Sequence, residues 1–149
     1  MKRSLTSYFL FFLIFFQAIS AIPAGLSLIF DPSGNNLNLP IKLLKGSPFP
    51  NFLIPGLFLF FVLGIFPIIT LYGLIKKNKF KLGEKINLYK KYHWSLTFSY
   101  YLGLLLILWI NMQQFFIREF SMLHFIYAML GILILLITNL PNTKKDYQM

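Results

Sequence analysis

The sequence predicts an all-α membrane protein: a bundle of four transmembrane helices, with both chain ends in the cytoplasm and an ordered outer loop that contains a short helix. Two observations predict this fold class. Hydrophobic residues make up 57% and charged residues 12% of the 149 residues, whereas typical soluble chains have roughly 45–50% and about 25%. In addition, four long apolar segments contain no Asp, Glu, Lys or Arg.

These segments have the length of membrane spans, and we predict a single membrane domain over residues 1–149. A helix needs about 20 apolar residues to cross a bilayer, where its backbone groups must bond to one another. The predicted spans cover residues 8–30, 52–75, 94–113 and 122–140. The first begins as a signal peptide would, but its apolar run reaches Phe30 and exceeds the roughly 7–15 apolar residues of such a peptide. We therefore expect it to remain as a span.

The distribution of basic residues predicts how the bundle is oriented. Of the 14 Lys and Arg residues, 11 lie in the N-terminus, the connection after the second span and the C-terminus. Only Lys42, Lys45 and Arg118 lie on the other side. Because Lys and Arg concentrate on the cytoplasmic side of a membrane, residues 31–51 and 114–121 are predicted to face outward.

The connection between the second and third spans is rich in lysine. Its seven lysines are candidates for binding anionic lipid headgroups on the cytoplasmic side: Lys76, Lys77, Lys79, Lys81, Lys85, Lys90 and Lys91. They would also serve as topology determinants without any ligand, and both interpretations stand. Nucleic-acid binding is not expected, because the basic residues flank apolar spans and do not form a separate basic domain.

Two patterns within the spans predict local detail. Pro67 lies deep in the second span and should kink it, because proline lacks an N–H and clashes with the preceding turn. Small residues recur four apart, as Ala21 with Gly25 and Ser99 with Gly103. Such spacing lets helices approach closely in a membrane, so it predicts close packing within the bundle or contact between copies in a homo-oligomer.

The connection between the first and second spans carries most of the turn-forming residues. Asp31 to Asn36 combines Asp, Pro, Gly and Asn, which accept backbone hydrogen bonds, preset φ or tolerate a positive φ. Pro40 suits the first position of a short helix, which Gly46 can end. We therefore predict an ordered loop over the outer face of the bundle.

This loop also carries a family resemblance. Its motifs are Asp31-Pro32-Ser33-Gly34, Leu39-Pro40, Ser47-Pro48-Phe49 and Pro55-Gly56, followed by a Phe/Leu-rich helix. The pattern resembles an uncharacterised family of small bacterial four-helix inner-membrane proteins, with Asn38 where that family is expected to have glycine. The resemblance implies a multi-pass protein of the bacterial inner membrane, and it implies no activity.

Polar residues of the spans concentrate toward the predicted outer side. The candidate outer polar cluster consists of Gln17, Asp31, Asn51, Asn111, Gln113, Gln114, Arg118, Glu119 and His124. These groups could line the mouth of a pocket. They could equally be polar because helix ends meet water and headgroups, and the spans hold no acidic residue that would mark an ion or proton relay.

Signatures of cofactor or enzyme chemistry are not found in the sequence. The chain has no cysteine, which excludes disulfides and thiolate metal sites. Its two histidines, His93 and His124, begin different spans at opposite ends and should stand about 30 Å apart, so they cannot share a metal or haem. Metalloprotease, hydrolase and phosphate-loop motifs are also missing. We therefore expect no cofactor, no metal and no catalytic residue.

Three hypotheses for function follow. The first is a small non-enzymatic membrane protein, an accessory or scaffold subunit that acts through helix and lipid contacts with a membrane-protein partner. The second is an oligomeric transporter or channel component for small solutes, with the polar cluster as its entrance. The third is a lipid-modifying membrane enzyme that uses Asp31, His124 or Glu119.

Overall fold

The computed structural model describes residues 2–149 and has four helices that are long and apolar enough to cross a membrane. These spans are Leu5–Phe30, Leu53–Lys76, Trp94–Ile117 and Met122–Asn139. The shorter helices are the 3₁₀ helices Asn35–Leu37 and Ile41–Leu44 and the α-helices Lys81–Lys85 and Pro141–Asp146. Apart from one isolated bridge between Tyr92 and Gln148, the regular structure is helical over this range. The prediction of an all-α chain with four spans is confirmed.

The ends of two spans differ from the prediction. The first span begins at Leu5, because the Ser4 side chain accepts a hydrogen bond from Ser7 N and so caps the helix. The third span continues to Ile117, where Arg118 closes it in the left-handed conformation with φ 56°. The connection between the third and fourth spans is therefore shorter than expected.

The second span changes its winding just before Pro67. A π-helical stretch, Phe61–Ile65, joins the α-helices Leu53–Phe60 and Phe66–Lys76. In an α-helix, residue 67 would donate to the carbonyl of Leu63, but proline has no N–H. Gln17 of the first span supplies a donor, with Nε2 at 3.2 Å from Leu63 O. Gln17, a polar residue near the middle of the first span, thus has a structural role.

The four spans form a ring, in which the first contacts the second and fourth, and the third contacts the same two. Two close helix approaches hold this ring. A Cβ added to Gly56 would stand 3.2 Å from Gly25 O, between the first two spans, and one added to Gly131 would stand 3.1 Å from Gly103 O, between the last two. Small residues at these crossings let the backbones meet.

The bundle has two dissimilar faces. We call the end formed by residues 31–52 and 118–121 the loop face, and residues 31–52 themselves the long loop. The opposite end, formed by residues 2–4, 77–93 and 140–149, is the terminal face. Between them lies a core in which Leu10, Ile14, Leu63, Leu102 and Ile134 are fully buried.

Candidate functional site

The long loop begins with a compact turn organised by Asp31. The carboxylate accepts hydrogen bonds from Ser33 Oγ, from Ser33 N at 3.3 Å and from Asn36 N at 2.8 Å. The Ser33 hydroxyl and then the Asn36 N–H hold the pKa of Asp31 below its ordinary value, because they stabilise the charged form. Asp31 is therefore occupied by its own loop and does not line the cavities described below.

Apolar contacts fasten the loop to the spans. Gly34 has φ 82°, and a Cβ there would meet Leu39 O at 2.6 Å, so this turn requires glycine. Phe52 N donates to Pro32 O at 2.8 Å, which ties the two ends of the loop together. The Phe52 ring is buried in a small cluster with Leu28 and Leu44. A short 3₁₀ helix, Ile41–Leu44, stands after Pro40 where the sequence predicts a short helix.

A cavity of about 310 Å³, which we call the loop-face cavity, lies beneath this loop. Leu39, Leu43 and Phe49 contribute from the loop, and Leu59 and Trp109 contribute from the spans. The Trp109 ring stacks on the ring of Phe58 with centroids 4.3 Å apart. Most of the lining is apolar, and the volume falls at the lower end of the roughly 300–1,000 Å³ of small-molecule sites. The lining therefore favours a hydrocarbon ligand.

A second cavity of about 260 Å³ lies deeper, and we call it the Gln17 compartment. It shares five lining residues with the loop-face cavity: Leu59, Trp109, Gln113, Leu123 and His124. Its other polar lining residues are Gln17, Ser20 and Tyr127. Because Gln17 stands near the middle of the first span, the two cavities together extend from the loop face to about half the depth of the bundle.

The structure brings part of the predicted polar cluster together. Gln113 and His124 line both cavities, and Gln114 Nε2 stands 3.3 Å from His124 Nδ1. Glu119 lines the loop-face cavity at its rim. Gln17 reaches the same group of side chains from the first span.

The remaining members of that cluster stand apart and do not line these cavities. Asn51 accepts from Leu53 N at 3.0 Å and so orders the start of the second span. Asn111 is exposed and donates to Ile107 O of its own helix. Arg118 is exposed on the loop face. It lines a shallow groove with Lys42, Lys45 and Glu119, and this basic groove adjoins the loop-face cavity through Leu43 and Phe116.

The terminal face is closed by hydrogen bonds that the sequence alone does not predict. Asp146 accepts from Ser4 N at 2.8 Å, from Ser4 Oγ and from Ser7 Oγ at 2.7 Å. Burial raises the pKa of Asp146, but these bonds outweigh burial and hold the pKa below its ordinary value. The buried Tyr147 hydroxyl donates to Leu74 O at 2.9 Å, and burial raises the pKa of this phenol. The chain has only four acidic residues. This rarity is the one feature of the sequence that could have marked Asp146 as important.

The seven candidate lysines all lie exposed on the terminal face, except that Lys76 ends the second span. Two of them are engaged by the protein. Lys77 Nζ donates to Asp146 O and stands 5.0 Å from the centre of the Tyr147 ring, and Lys90 Nζ donates to Glu84 O. The other five make no side-chain hydrogen bond to the part of the chain that is described.

His93 is buried at the start of the third span. Its Nδ1 is 2.8 Å from Ser95 Oγ, and its Nε2 is 3.1 Å from Asn78 O, which also accepts from Trp94 Nε1. Burial is the main reason why the pKa of His93 lies below its ordinary value. The ring also accepts a hydrogen bond from Ser95 N at 3.4 Å and so caps the start of the third span. Within residues 2–149 no group of three or more His, Asp or Glu side chains could hold a metal ion.

Comparison with protein-family models, with curated proteins and with solved structures found no match to this chain. The geometry of the loop face is therefore the basis for the function proposed below.

Proposed function

We propose that this chain is a non-enzymatic integral membrane protein of the bacterial inner membrane, an accessory protein that acts by holding a lipid chain beneath its long loop. The single observation that carries the proposal is the apolar lining of the loop-face cavity. All four spans contribute to it, through Leu28, Leu59, Trp109 and Leu123. A cavity whose lining is mostly apolar favours a hydrocarbon chain over a charged group.

The proposal includes an orientation. With 11 of the 14 basic residues on the terminal face or at its edge, the positive-inside rule puts both chain ends in the cytoplasm and the long loop outside. The bound chain then comes from a lipid of the outer leaflet. The exposed lysines of the terminal face would meet anionic headgroups of the cytoplasmic leaflet.

The basic groove favours a lipid with an anionic phosphate headgroup. Lys42, Lys45 and Arg118 lie beside the cavity and form no ion pair within the described chain, while Glu119 is the one acidic group in this groove. Each cation near a membrane surface attracts anionic lipid by about 1 kcal/mol. Leu43 lines both the groove and the cavity. A lipid whose phosphate lies in the groove would therefore extend an acyl chain into the cavity.

Packing supports this function over a solute carrier or channel. On the terminal side of Gln17, the buried side chains of Leu10, Ile14, Leu74 and Leu102 fill the bundle. A pathway through one chain would have to cross this core, so transport would require several copies. A lipid-modifying enzyme is also less well supported, because Asp31 is engaged by the backbone of its own loop.

Lipid retained during purification tests the proposal. Met112→Trp would fill the cavity that Met112 lines, and Leu108→Trp makes the same change on the same helix at a side chain that is 64% exposed. We expect mass spectrometry of the purified wild-type protein and of Leu108→Trp to detect about one bound phospholipid per chain, and Met112→Trp to lose it. Equal retention by both folded variants would contradict the proposal.

The preference for an anionic headgroup is tested with a second set of variants. Replacing Lys42, Lys45 and Arg118 by Gln should lower the anionic share of the retained lipid and remove its dependence on salt, while total retention persists through the cavity. The matched control replaces Lys79, Lys81 and Lys85, which are exposed on the other face. Both sets are compared on the lipid that Met112→Trp displaces, so that lipid bound at the terminal face does not count. If the control reduces the anionic share of this lipid as much, the basic groove does not select it.

A further inference from the structure

Gln17 carries the feature that the proposed function leaves unexplained. The residue is 1% exposed, and its Nε2 donates to Leu63 O. Its Oε1 is buried and has no hydrogen-bond partner in the protein. The assignment of the two amide atoms is fixed by chemistry, because a carbonyl only accepts and the NH₂ group must therefore face Leu63 O. The unpartnered atom is thus an acceptor.

An unpartnered acceptor at this depth is costly. Leaving a buried polar group without a hydrogen bond destabilises a protein by about 1–3 kcal/mol, and apolar lipid supplies no donor. Native proteins satisfy such groups with a partner, with water or with a ligand. Gln17 lines the Gln17 compartment, whose volume of about 260 Å³ is large enough for a ligand.

Other polar groups in the compartment define the ligand's chemistry. Gln113 and Tyr127 line it, and the structure gives neither side chain a hydrogen-bond partner in the described chain. No Asp, Glu, Lys or Arg side chain lines it, and the His124 imidazole that does line it is hydrogen-bonded to Gln114. An ion would lose its hydration there without gaining a counter-charge. The ligand must therefore be uncharged, and it must donate a hydrogen bond.

We infer that the Gln17 compartment binds an uncharged O–H donor, either water or the hydroxyl end of an apolar molecule, through the side-chain oxygen of Gln17. Gln17 then has two roles, since its amide nitrogen caps the carbonyl that Pro67 leaves free and its oxygen receives the ligand. The inference does not depend on lipid binding in the loop-face cavity, because it rests on a different atom and a different compartment.

Substituted cysteines test the inference, since the chain contains no cysteine of its own. Ser20→Cys places a thiol in the compartment with little change in size. Ile19→Cys places one on the neighbouring residue, which is 49% exposed on the surface of the span. A charged methanethiosulfonate reacts with the thiolate, which forms only where water or other polar groups stabilise it. The labelling rates are measured in native membrane vesicles and, after removal of lipid, in phosphatidylcholine vesicles.

We expect Ser20→Cys to be labelled at least about tenfold faster than Ile19→Cys in the phosphatidylcholine vesicles. Fast labelling in native vesicles as well would identify water as the donor. Slow labelling there, rising after lipid removal, would identify a resident molecule, and mass spectrometry of the extract should then find an uncharged hydroxyl compound. Ser20→Cys labelled as slowly as Ile19→Cys in both preparations would overturn the inference.

The role of Gln17 itself is tested by adding Gln17→Leu to Ser20→Cys. We expect the labelling rate to fall to that of Ile19→Cys, because the compartment loses its deepest polar group. An unchanged rate in the folded double variant would show that Gln17 does not hold the donor. If Gln17→Leu prevents folding, the comparison of Ser20→Cys with Ile19→Cys decides, since neither leaves Leu63 O without its donor.

Discussion

The two faces of this bundle satisfy their polar groups in opposite ways. On the terminal face, the carboxylate of Asp146 and the hydroxyl of Tyr147 join the C-terminal tail to Ser4, Ser7 and Leu74. On the loop face, the hydrogen bonds stay mainly within the long loop, and two cavities lie between the spans below it. The difference indicates that the terminal face is more tightly packed than the loop face, because cavities reduce the packing that stabilises a fold.

The largest expected effect is a loss of stability when the packing of the terminal face is disrupted. Tyr147→Ala removes an aromatic side chain that is 1% exposed, and we expect it to lower the free energy of unfolding by about 3–5 kcal/mol. Gln148→Ala is the control, because Gln148 is exposed and takes part only through its backbone. Thermal unfolding in detergent measures both variants. Similar midpoints for the two would contradict a tail that stabilises the terminal face.

A smaller effect on stability is expected from replacing a carboxylate, and Asp146 on the terminal face is compared with Asp31 on the loop face. Asp146→Asn should lower the free energy of unfolding by about 1.5–3 kcal/mol at neutral pH, since three donors lose a charged acceptor. Asp31→Asn should lower it by less, because this turn is exposed to water. The carboxylate accepts through both oxygens, Oδ1 from Ser33 and Oδ2 from Asn36, so the one oxygen of Asn keeps only one of these contacts.

The pH dependence has a definite sign. The pKa of Asp146 is lower in the folded protein than its ordinary value of 3.8, so the carboxylate stabilises the fold above that pH. The stabilisation is lost as the pH falls through the folded pKa. Acid should therefore lower the midpoint of the wild-type protein more than that of Asp146→Asn. Parallel curves for the two proteins would show that Asp146 does not contribute this stabilisation.

The smallest expected effect is a change in tryptophan fluorescence, which reports whether lipid occupies the loop-face cavity. The chain has two tryptophans, and both are buried. Trp94 begins the third span next to the terminal face, and Trp109 lines the loop-face cavity. Trp94→Phe leaves only Trp109, and Trp109→Phe leaves only Trp94. Phospholipids with brominated acyl chains should quench Trp109 more strongly than Trp94, because only Trp109 lines the proposed chain site. Equal quenching would remove the distinction between the faces.

The sequence predicted the spans well, because the length of an apolar run is a local property. It located the four spans to within a few residues. It predicted a kink at Pro67, and the structure has a π-helical stretch just before that residue. It did not predict that the third span continues through Gln114 to Ile117, because the end of the helix is set by Arg118, which adopts the left-handed conformation at the C-cap. It also grouped Asp31, Asn51 and Asn111 with the polar cluster, although their side chains bond within their own segments.

What the sequence determined by itself is the all-helical architecture with four spans, because hydrocarbon requires every backbone group to bond within a helix. What only the tertiary structure decided is which polar groups meet. Ser4 and Asp146 are 142 residues apart, and Gln17 reaches Leu63 from another span. Such contacts depend on how the helices are arranged around the ring, and a local pattern carries no information about that arrangement.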